Sequence, residues 1–251
     1  MGSFDYDGEL RHYDARLREA ADVRPTDHIL DIGCGAGQTT RAAARRAVRG
    51  SALGVDISAE MIARARVASR DVPNVRFVEA DAQNFPFPTG TFTLGLSRFG
   101  TMFFADPAEA FAGIARALRP GARLVQLVWQ DRSHQEWARV IHEAITPDSV
   151  PAAGAAFSLS DPAVVRDFLA RSGFSGVKLA DVHEPVWYGK DPDAALDGTL
   201  SLLEASDRLA GLDRDQRKLA LDRLRAAIVD HYREDGVWFD ARAWLVTAVR
   251  A

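Results

Sequence analysis

His28-Ile29-Leu30-Asp31-Ile32-Gly33-Cys34-Gly35-Ala36-Gly37-Gln38-Thr39-Thr40 decides how the chain is read. The short apolar run at 29–32 predicts a buried strand. Three alternating glycines follow, and a helix pattern starts directly after them. A strand passing through a glycine turn into a helix N-terminus is a ligand-binding loop of the nucleotide type. A Cβ there would hold a ligand away from the backbone, and such a turn often needs φ > 0. Asp31 at the strand end qualifies this reading. It repels a pyrophosphate and attracts an ammonium group. The spacing is also G-x-G-x-G rather than the dinucleotide G-x-G-x-x-G.

Composition sets the outer bounds. The 251 residues suffice for one large domain, or for one domain with a substantial insertion. With 47% hydrophobic and 26% charged residues the chain reads as globular. A net charge of −4 offers no basic field to nucleic acid. No apolar run reaches the ~18 residues of a membrane span. The polar stretch 1–14 does not read as a signal peptide. The single cysteine, Cys34, allows no intrachain disulfide, so a cytoplasmic protein is expected.

Outward from the glycine loop, strands and helices alternate. A helix is predicted at 9–21, ahead of the first strand, where it could lie over the loop. Further strands are predicted at 52–57, 75–81, 92–99 and 124–129. A helix capped by Ser58 runs to about 69, and another starts at Asp106-Pro107 and stops at Pro120-Gly121. Phe85-Pro86-Phe87-Pro88 breaks any helix between the third and fourth strands. This rhythm predicts a parallel, doubly wound α/β sheet. Beyond Trp129 the rhythm loosens. Helices are predicted at 134–145, from 161 to Gly173, near 194–209 and at 214–233, with a loop at 146–158. Strands are predicted at 177–188 and 243–249. Leu196, Leu200, Leu203, Leu224 and Ile228 stand at helical spacing and read as core.

Three strands end in acids, at 31, 56 and 81, evenly spaced along the chain. In a parallel sheet these carboxylates gather at the carboxyl edge, where open α/β sheets bind ligands. Leu30-Asp31-Ile32-Gly33-Cys34-Gly35-Ala36-Gly37, Gly54-Val55-Asp56-Ile57-Ser58, Glu79-Ala80-Asp81-Ala82, the fourth segment Ser97-Arg98-Phe99-Gly100 and the turn Leu118-Arg119-Pro120-Gly121 together resemble the class I S-adenosylmethionine-dependent methyltransferases, in a small-molecule branch of methyltransferase type 11/25. The resemblance covers roughly residues 22–130 and is weaker beyond. It implies a Rossmann-like seven-stranded sheet in the order 3-2-1-4-5-7-6 with the last strand antiparallel. It also implies one methyltransferase domain over 1–251, with the N-terminal helix within 1–21 covering the site and a mostly helical cap inserted at 189–239.

The resemblance implies S-adenosylmethionine as cofactor and S-adenosylhomocysteine as product. This cofactor carries an ammonium, a sulfonium and an adenosine, and no phosphate. Asp31 would hold the ammonium, or else support the glycine loop by hydrogen bonds. Gly33, Gly35 and Gly37 would admit the methionine moiety, with Cys34 as a small filler of the same loop. Asp56 would take the ribose hydroxyls, and Ile57 and Met61 would flank the adenine, although Met61 also reads as core. Asp81, or in another reading a helix cap, would take the adenine amino group beside the Ala82 N–H. The backbone or hydroxyl of Ser97 would face the methionine. Phe99 would lie near the sulfonium or pack under the cap. Tyr13 is either a further cofactor contact or a helix-face residue.

The implied chemistry is in-line displacement at an already activated methyl, so the protein must align the nucleophile and exclude water. Segment 97–100 lacks the Asn or Asp followed by Pro-Pro-aromatic of nitrogen methylation, which favours a small-molecule oxygen acceptor. A hydroxyl acceptor benefits from a base, and His134 and then His12 are the candidates, with His142 third. His28, His183 and His231 sit on structural elements. No metal and no nucleic-acid or membrane partner is expected, and the chain is read as a monomer or homodimer. Two alternatives stand beside this reading. One is a protein that binds the cofactor without transferring methyl, with other chemistry or as a partner subunit. The other is a nucleotide-dependent oxidoreductase, which Asp31 opposes.

Overall fold

The structure, a computed structural model, describes residues 4–150 and 154–251. Residues 1–3 of the polar N-terminal stretch and 151–153 of the expected 146–158 loop lie outside the described residues, as does the side chain of Leu203. In chain order the elements are α1 (Tyr6–Glu9), α2 (Arg11–Ala21), β1 (His28–Ile32), α3 (Gln38–Arg46), β2 (Ser51–Asp56), α4 (Ala59–Ala68), β3 (Val75–Glu79), β4 (Phe92–Arg98), α5 (Pro107–Ala117) and β5 (Leu118–Trp129). They continue with α6 (Glu136–Ile145), α7 (Pro162–Arg171), β6 (Phe174–His183), β7 (Val186–Gly189), α8 (Pro192–Ser201), α9 (Leu203–Ala210), α10 (Arg214–Asp230), β8 (Tyr232–Arg233), β9 (Gly236–Phe239) and β10 (Arg242–Arg250). These elements divide into two units. A sheet unit comprises Asp14–Gln130, Gly154–Val182 and Ala243–Ala251. A second unit comprises the described residues within Met1–Tyr13, Asp131–Ala153 and His183–Arg242.

The sheet unit has seven strands in the order β3-β2-β1-β4-β5-β10-β6. β1 pairs in parallel with β2 and β4, β2 with β3, and β4 with β5, while β10 runs antiparallel to β5. This is the expected 3-2-1-4-5-7-6 order, β10 being the seventh strand of the sheet. β1 lies in the middle, and its Ile29, Leu30, Asp31 and Ile32 are all buried, as a strand covered on both faces requires. Local chemistry sets the helix starts. The Ser58 hydroxyl accepts the Met61 N–H, and the Asp106 carboxylate accepts the Glu109 N–H with Pro107 in the first turn. Phe111 and Ile114 of α5 are wholly buried, and burial of such side chains is worth about 1.5–3 kcal/mol each. At the opposite sheet edge, Asp27 accepts from the Arg24 N–H at 2.8 Å and the Thr93 hydroxyl at 2.8 Å, and pairs with Arg123 at 2.5 Å.

The second unit contains a three-stranded antiparallel sheet, β7-β9-β8, with α1, α6, α8, α9 and α10. Leu224 and Ile228 are core, as read, whereas Leu196 and Leu200 are only half-buried. Three sequence readings are corrected here. The strand expected at 177–188 is two strands in two sheets, because Pro185 has no N–H to continue a ladder. The helix expected at 194–209 breaks at Leu202. There the Thr199 hydroxyl donates to Ala195 O and the Ser201 hydroxyl to Gly198 O, competing with helix continuation. The helix expected to reach 233 ends at Asp230, and the turn before Gly236 (φ 129°) folds Tyr232–Arg233 into a strand against β9.

Candidate functional site

Asp31 closes β1 and is only 1% exposed. Its Oδ2 accepts the Thr40 hydroxyl at 2.6 Å, and its Oδ1 has no hydrogen-bond partner. Burial raises its pKa from the usual 3.8 to about 7, against the Thr40 hydroxyl and the Arg98 charge, which lower it. The two readings of Asp31 meet here: one oxygen supports the helix after the loop, and the other is buried without a partner. An orphaned carboxylate oxygen in a buried site is costly unless a donor or cation arrives.

The glycine loop is held from β2. The N–H groups of Gly33 and Cys34 both donate to Val55 O, at 2.9 and 3.0 Å. Asp56 accepts the Gly35 N–H on one oxygen and the Ser58 N–H on the other, each at 2.8 Å. It therefore shapes the loop as well as facing the edge where the ribose is expected. A carboxylate has about four acceptor positions, which leaves capacity for hydroxyl donors. Gly35 (φ 53°) has nothing within 4 Å of where a Cβ would stand, so this face of the loop is open. Gly33 (φ 67°) is the reverse: a Cβ would lie 2.7 Å from the Gly100 Cα, so the loop and the segment after β4 touch backbone to backbone. Gly37 is the N-cap of α3.

Around this edge Ile57 is 75% exposed, an unusual state for an isoleucine, and Met61 is half-buried. Asp81 is exposed. It accepts the Gln83 N–H at 2.9 Å and the Asn84 amide at 2.7 Å, and Ala82 beside it is half-buried. Phe99 takes a left-handed conformation (φ 59°) and stacks on Trp129 with ring centroids 3.9 Å apart. A side chain in that conformation is strained, and such strain concentrates at functional sites.

Three of the expected site residues are held by partners within the protein. The Ser97 hydroxyl donates to Ile32 O at 2.8 Å and accepts the Gly100 N–H at 3.2 Å, fastening β1 to β4, which leaves the backbone as the part of Ser97 for a ligand. Cys34 packs against Ile62, Ala65 and Phe77 behind the loop, and burial pushes its thiol pKa well up, so its side chain is an inert filler, as expected. Tyr13 belongs to the second unit, is fully buried, and donates its hydroxyl between Glu184 O (2.7 Å) and Ala241 O (2.8 Å), as a brace.

The histidine candidates also lie in the second unit. His134 is exposed and lines a polar cleft of about 400 Å³ with Ser133, Glu136, Arg139, Asp240 and Arg242. His12 rests its ring 5.2 Å from Trp238. His142 is buried, bonded to Ser149 O at 2.8 Å and capped by the Arg208 guanidinium, which makes it structural. His183 sits on a structural element, as expected, at the end of β6. It is part-exposed and donates from Nε2 to Asp240 at 2.6 Å. Among the described residues no cluster of His, Cys, Asp or Glu could hold a metal ion.

Sequence reading missed Thr40, Arg98 and Gln38. Arg98, at the end of the otherwise apolar β4, donates to Gln38 Oε1 at 2.6 Å and to Asp14 at 3.4 Å. The signal was there: a charge closing a buried strand needs a buried partner.

The cofactor implied by the resemblance fits these residues. Its ammonium suits the orphaned Asp31 oxygen, its methionine end the open face at Gly35, its ribose Asp56, and its adenine the bare Ile57 surface.

A family model described as a methyltransferase domain matches residues 30–126. The chain is 31% identical over 186 residues to the nocamycin O-methyltransferase of Saccharothrix syringae, the match covering 67% of this chain and 66% of that one. It superposes on the YcgJ protein of Bacillus subtilis with a TM-score of 0.64 at 20% identity, covering 96% and 98% of the two chains. It superposes on the geranyl diphosphate C-methyltransferase of Streptomyces coelicolor A3(2) with a TM-score of 0.58 at 20% identity, covering 96% and 76%. The two superpositions speak to the fold. The chain spans between 47% and 66% of the length of the first curated relatives it matches. The sheet order and the methyltransferase-domain match over residues 30–126 make the chain similar, over that stretch, to the class I S-adenosylmethionine-dependent methyltransferases.

Proposed function

We propose that the chain transfers a methyl group from S-adenosylmethionine to an oxygen nucleophile of a small molecule. The observation that carries the cofactor half is the orphaned Asp31 oxygen, a buried acceptor at the loop with no hydrogen-bond partner. Asp31 would hold that ammonium, Asp56 the ribose hydroxyls, Ile57 and Met61 the adenine faces, and Asp81 with the Ala82 N–H the adenine edge. Phe99, fixed by its stack on Trp129, would present an aromatic wall toward the reacting end. The bound cofactor supplies the activated methyl and its leaving group. The chain's own task is to align the acceptor, exclude water and take a proton from its hydroxyl. His134 is assigned that proton, as an exposed imidazole in a polar cleft.

The oxygen acceptor is supported by the O-methyltransferase relative and by the absence of a nitrogen-type fourth segment at 97–100. The test is titration with S-adenosylhomocysteine by calorimetry, then incubation with methyl-labelled cofactor and hydroxylated, amine and carbon acceptors. Binding with label on a hydroxyl supports the reading. Label on nitrogen or carbon overturns the oxygen assignment, and absence of binding overturns the function.

A further inference from the structure

Between the glycine loop and α2 lies a charge cluster that the cofactor roles above do not use. Asp14 of α2 is buried. Its Oδ1 accepts the Thr39 hydroxyl at 3.3 Å and lies 3.4 Å from Arg98, and its other oxygen pairs with Arg18. Arg98 has little solvent access and also donates to Gln38 Oε1 at 2.6 Å. Gln38 opens α3, the helix whose third residue, Thr40, holds Asp31. Thus Arg98, Gln38, Thr39 and Thr40 form one connected path from the buried carboxylate of Asp14 to the buried carboxylate of Asp31.

We propose that Arg98 is a positioning residue of the cofactor site: by neutralising Asp14 and fixing the first turn of α3, it keeps Asp31 charged and aimed at the ligand ammonium. The inference rests on the cofactor reading above and deepens it. Two like charges face Asp31, from Asp14 on α2 and Asp56 on β2, and both oppose its ionisation. The Cys34 thiol lies beside it in the loop and is itself raised by Asp31. Arg98 is the cation acting in the opposite sense, together with the hydrogen bond from Thr40. Without Arg98 the Asp14 charge, still paired with Arg18, would act on Asp31 without the opposing Arg98 charge.

The test is S-adenosylhomocysteine affinity of the full chain from pH 5.5 to 8.5, for the parent, Arg98→Met, Arg98→Lys and the double variant Asp14→Asn/Arg98→Met. In Arg98→Met the pH midpoint of binding is expected to move up by about one unit, which weakens binding about fivefold at pH 7, near the parental midpoint, and about tenfold well below it, since one unit of carboxylate pKa corresponds to a factor of ten. Arg98→Lys retains the charge and should keep the midpoint near that of the parent. Removing the Asp14 charge in the double variant should bring the midpoint back down. A brace acting only through structure would lose affinity at all pH values alike and would gain nothing from Asp14→Asn. That result overturns the proposal, as does unchanged binding by a folded Arg98→Met. If Arg98→Met does not fold, Arg98→Lys and Arg98→Gln decide by the same midpoints. If the parent does not bind S-adenosylhomocysteine, the cofactor reading fails instead.

Discussion

Asp56 receives the Gly35 N–H at 2.8 Å, so the acid that ends β2 shapes the loop that follows β1. A residue assigned to the ligand thus also builds the ligand's cradle. Its second oxygen takes the Ser58 N–H, so two N–H groups converge on one carboxylate. An amide has one acceptor oxygen and presents an NH₂ to the second donor. Asp56→Asn is therefore expected to lose S-adenosylhomocysteine affinity nearly as fully as Asp56→Ala. Each should lower unfolding free energy by ~1–3 kcal/mol. Calorimetry and urea melts check this; a mild Asn variant would show that Asp56 serves the ribose alone.

Gly100 faces the same loop from β4. A Cβ there would stand 2.6 Å from Ile32 O and 2.8 Å from the Gly33 Cα, both rigid backbone. Gly100→Ala should destabilise by ~1–3 kcal/mol and displace the loop, reducing affinity together with stability. A stable Ala variant with parental affinity would refute the close crossing.

Asp31 carries a pH signature. Its pKa is raised from 3.8 to about 7, so ionisation opposes folding of the ligand-free chain. The penalty is absent below pH 4, grows as pH rises toward 7 and is complete above it. Its size is on the order of 4 kcal/mol. Asp31→Asn should therefore raise the melting temperature at pH 8, with a gain that shrinks toward pH 4–5, and should abolish S-adenosylhomocysteine binding. Equal gains at both pH values would contradict the assignment.

Tyr13 separates stability from ligand binding. Tyr13→Phe leaves Glu184 O and Ala241 O without their shared hydroxyl, at a cost of ~1–3 kcal/mol. Affinity for S-adenosylhomocysteine should not change. A weaker complex would restore Tyr13 to the cofactor contacts.

If His134 takes the acceptor proton, His134→Gln should lower kcat for a hydroxyl acceptor by ~10²–10⁴-fold while leaving cofactor affinity untouched. A parental kcat would move attention to His183, which Asp240 already orients.

The periodic part of the chain was readable because each parallel strand must be buried on both faces, leaving near-continuous apolar runs such as 29–32 and 124–129. The acids at 31, 56 and 81 stood out as evenly spaced charges at or just beyond the ends of such runs. The direction of the Ser97 hydroxyl was not legible, because a hydroxyl carries no mark of direction in sequence; the register of β4 against β1 turns it toward Ile32. Arg98 was overlooked for a related reason. Its partners, Asp14 and Gln38, are far from it in sequence, and long-range pairing of single polar residues has no period. In the second unit, Pro185 and the Asp235-Gly236 turn were visible punctuation, but the helical spacing around them masked the short strands.

The position of β10 governs how the molecule is made. β10 lies between β5 and β6 in the sheet, yet β6 ends at His183 and β10 begins at Arg242. During synthesis β6 therefore emerges with its sheet neighbour still untranslated, and β5 waits with an open edge. Until that gap closes, both strands expose unpaired N–H and C=O groups, the condition under which nascent chains associate wrongly. Sequence separation of this size also slows folding, since the long loop must close before the contact stabilises anything. Protease sensitivity of stalled nascent chains should thus persist across the sheet until β10 has cleared the ribosome, and then fall in one step.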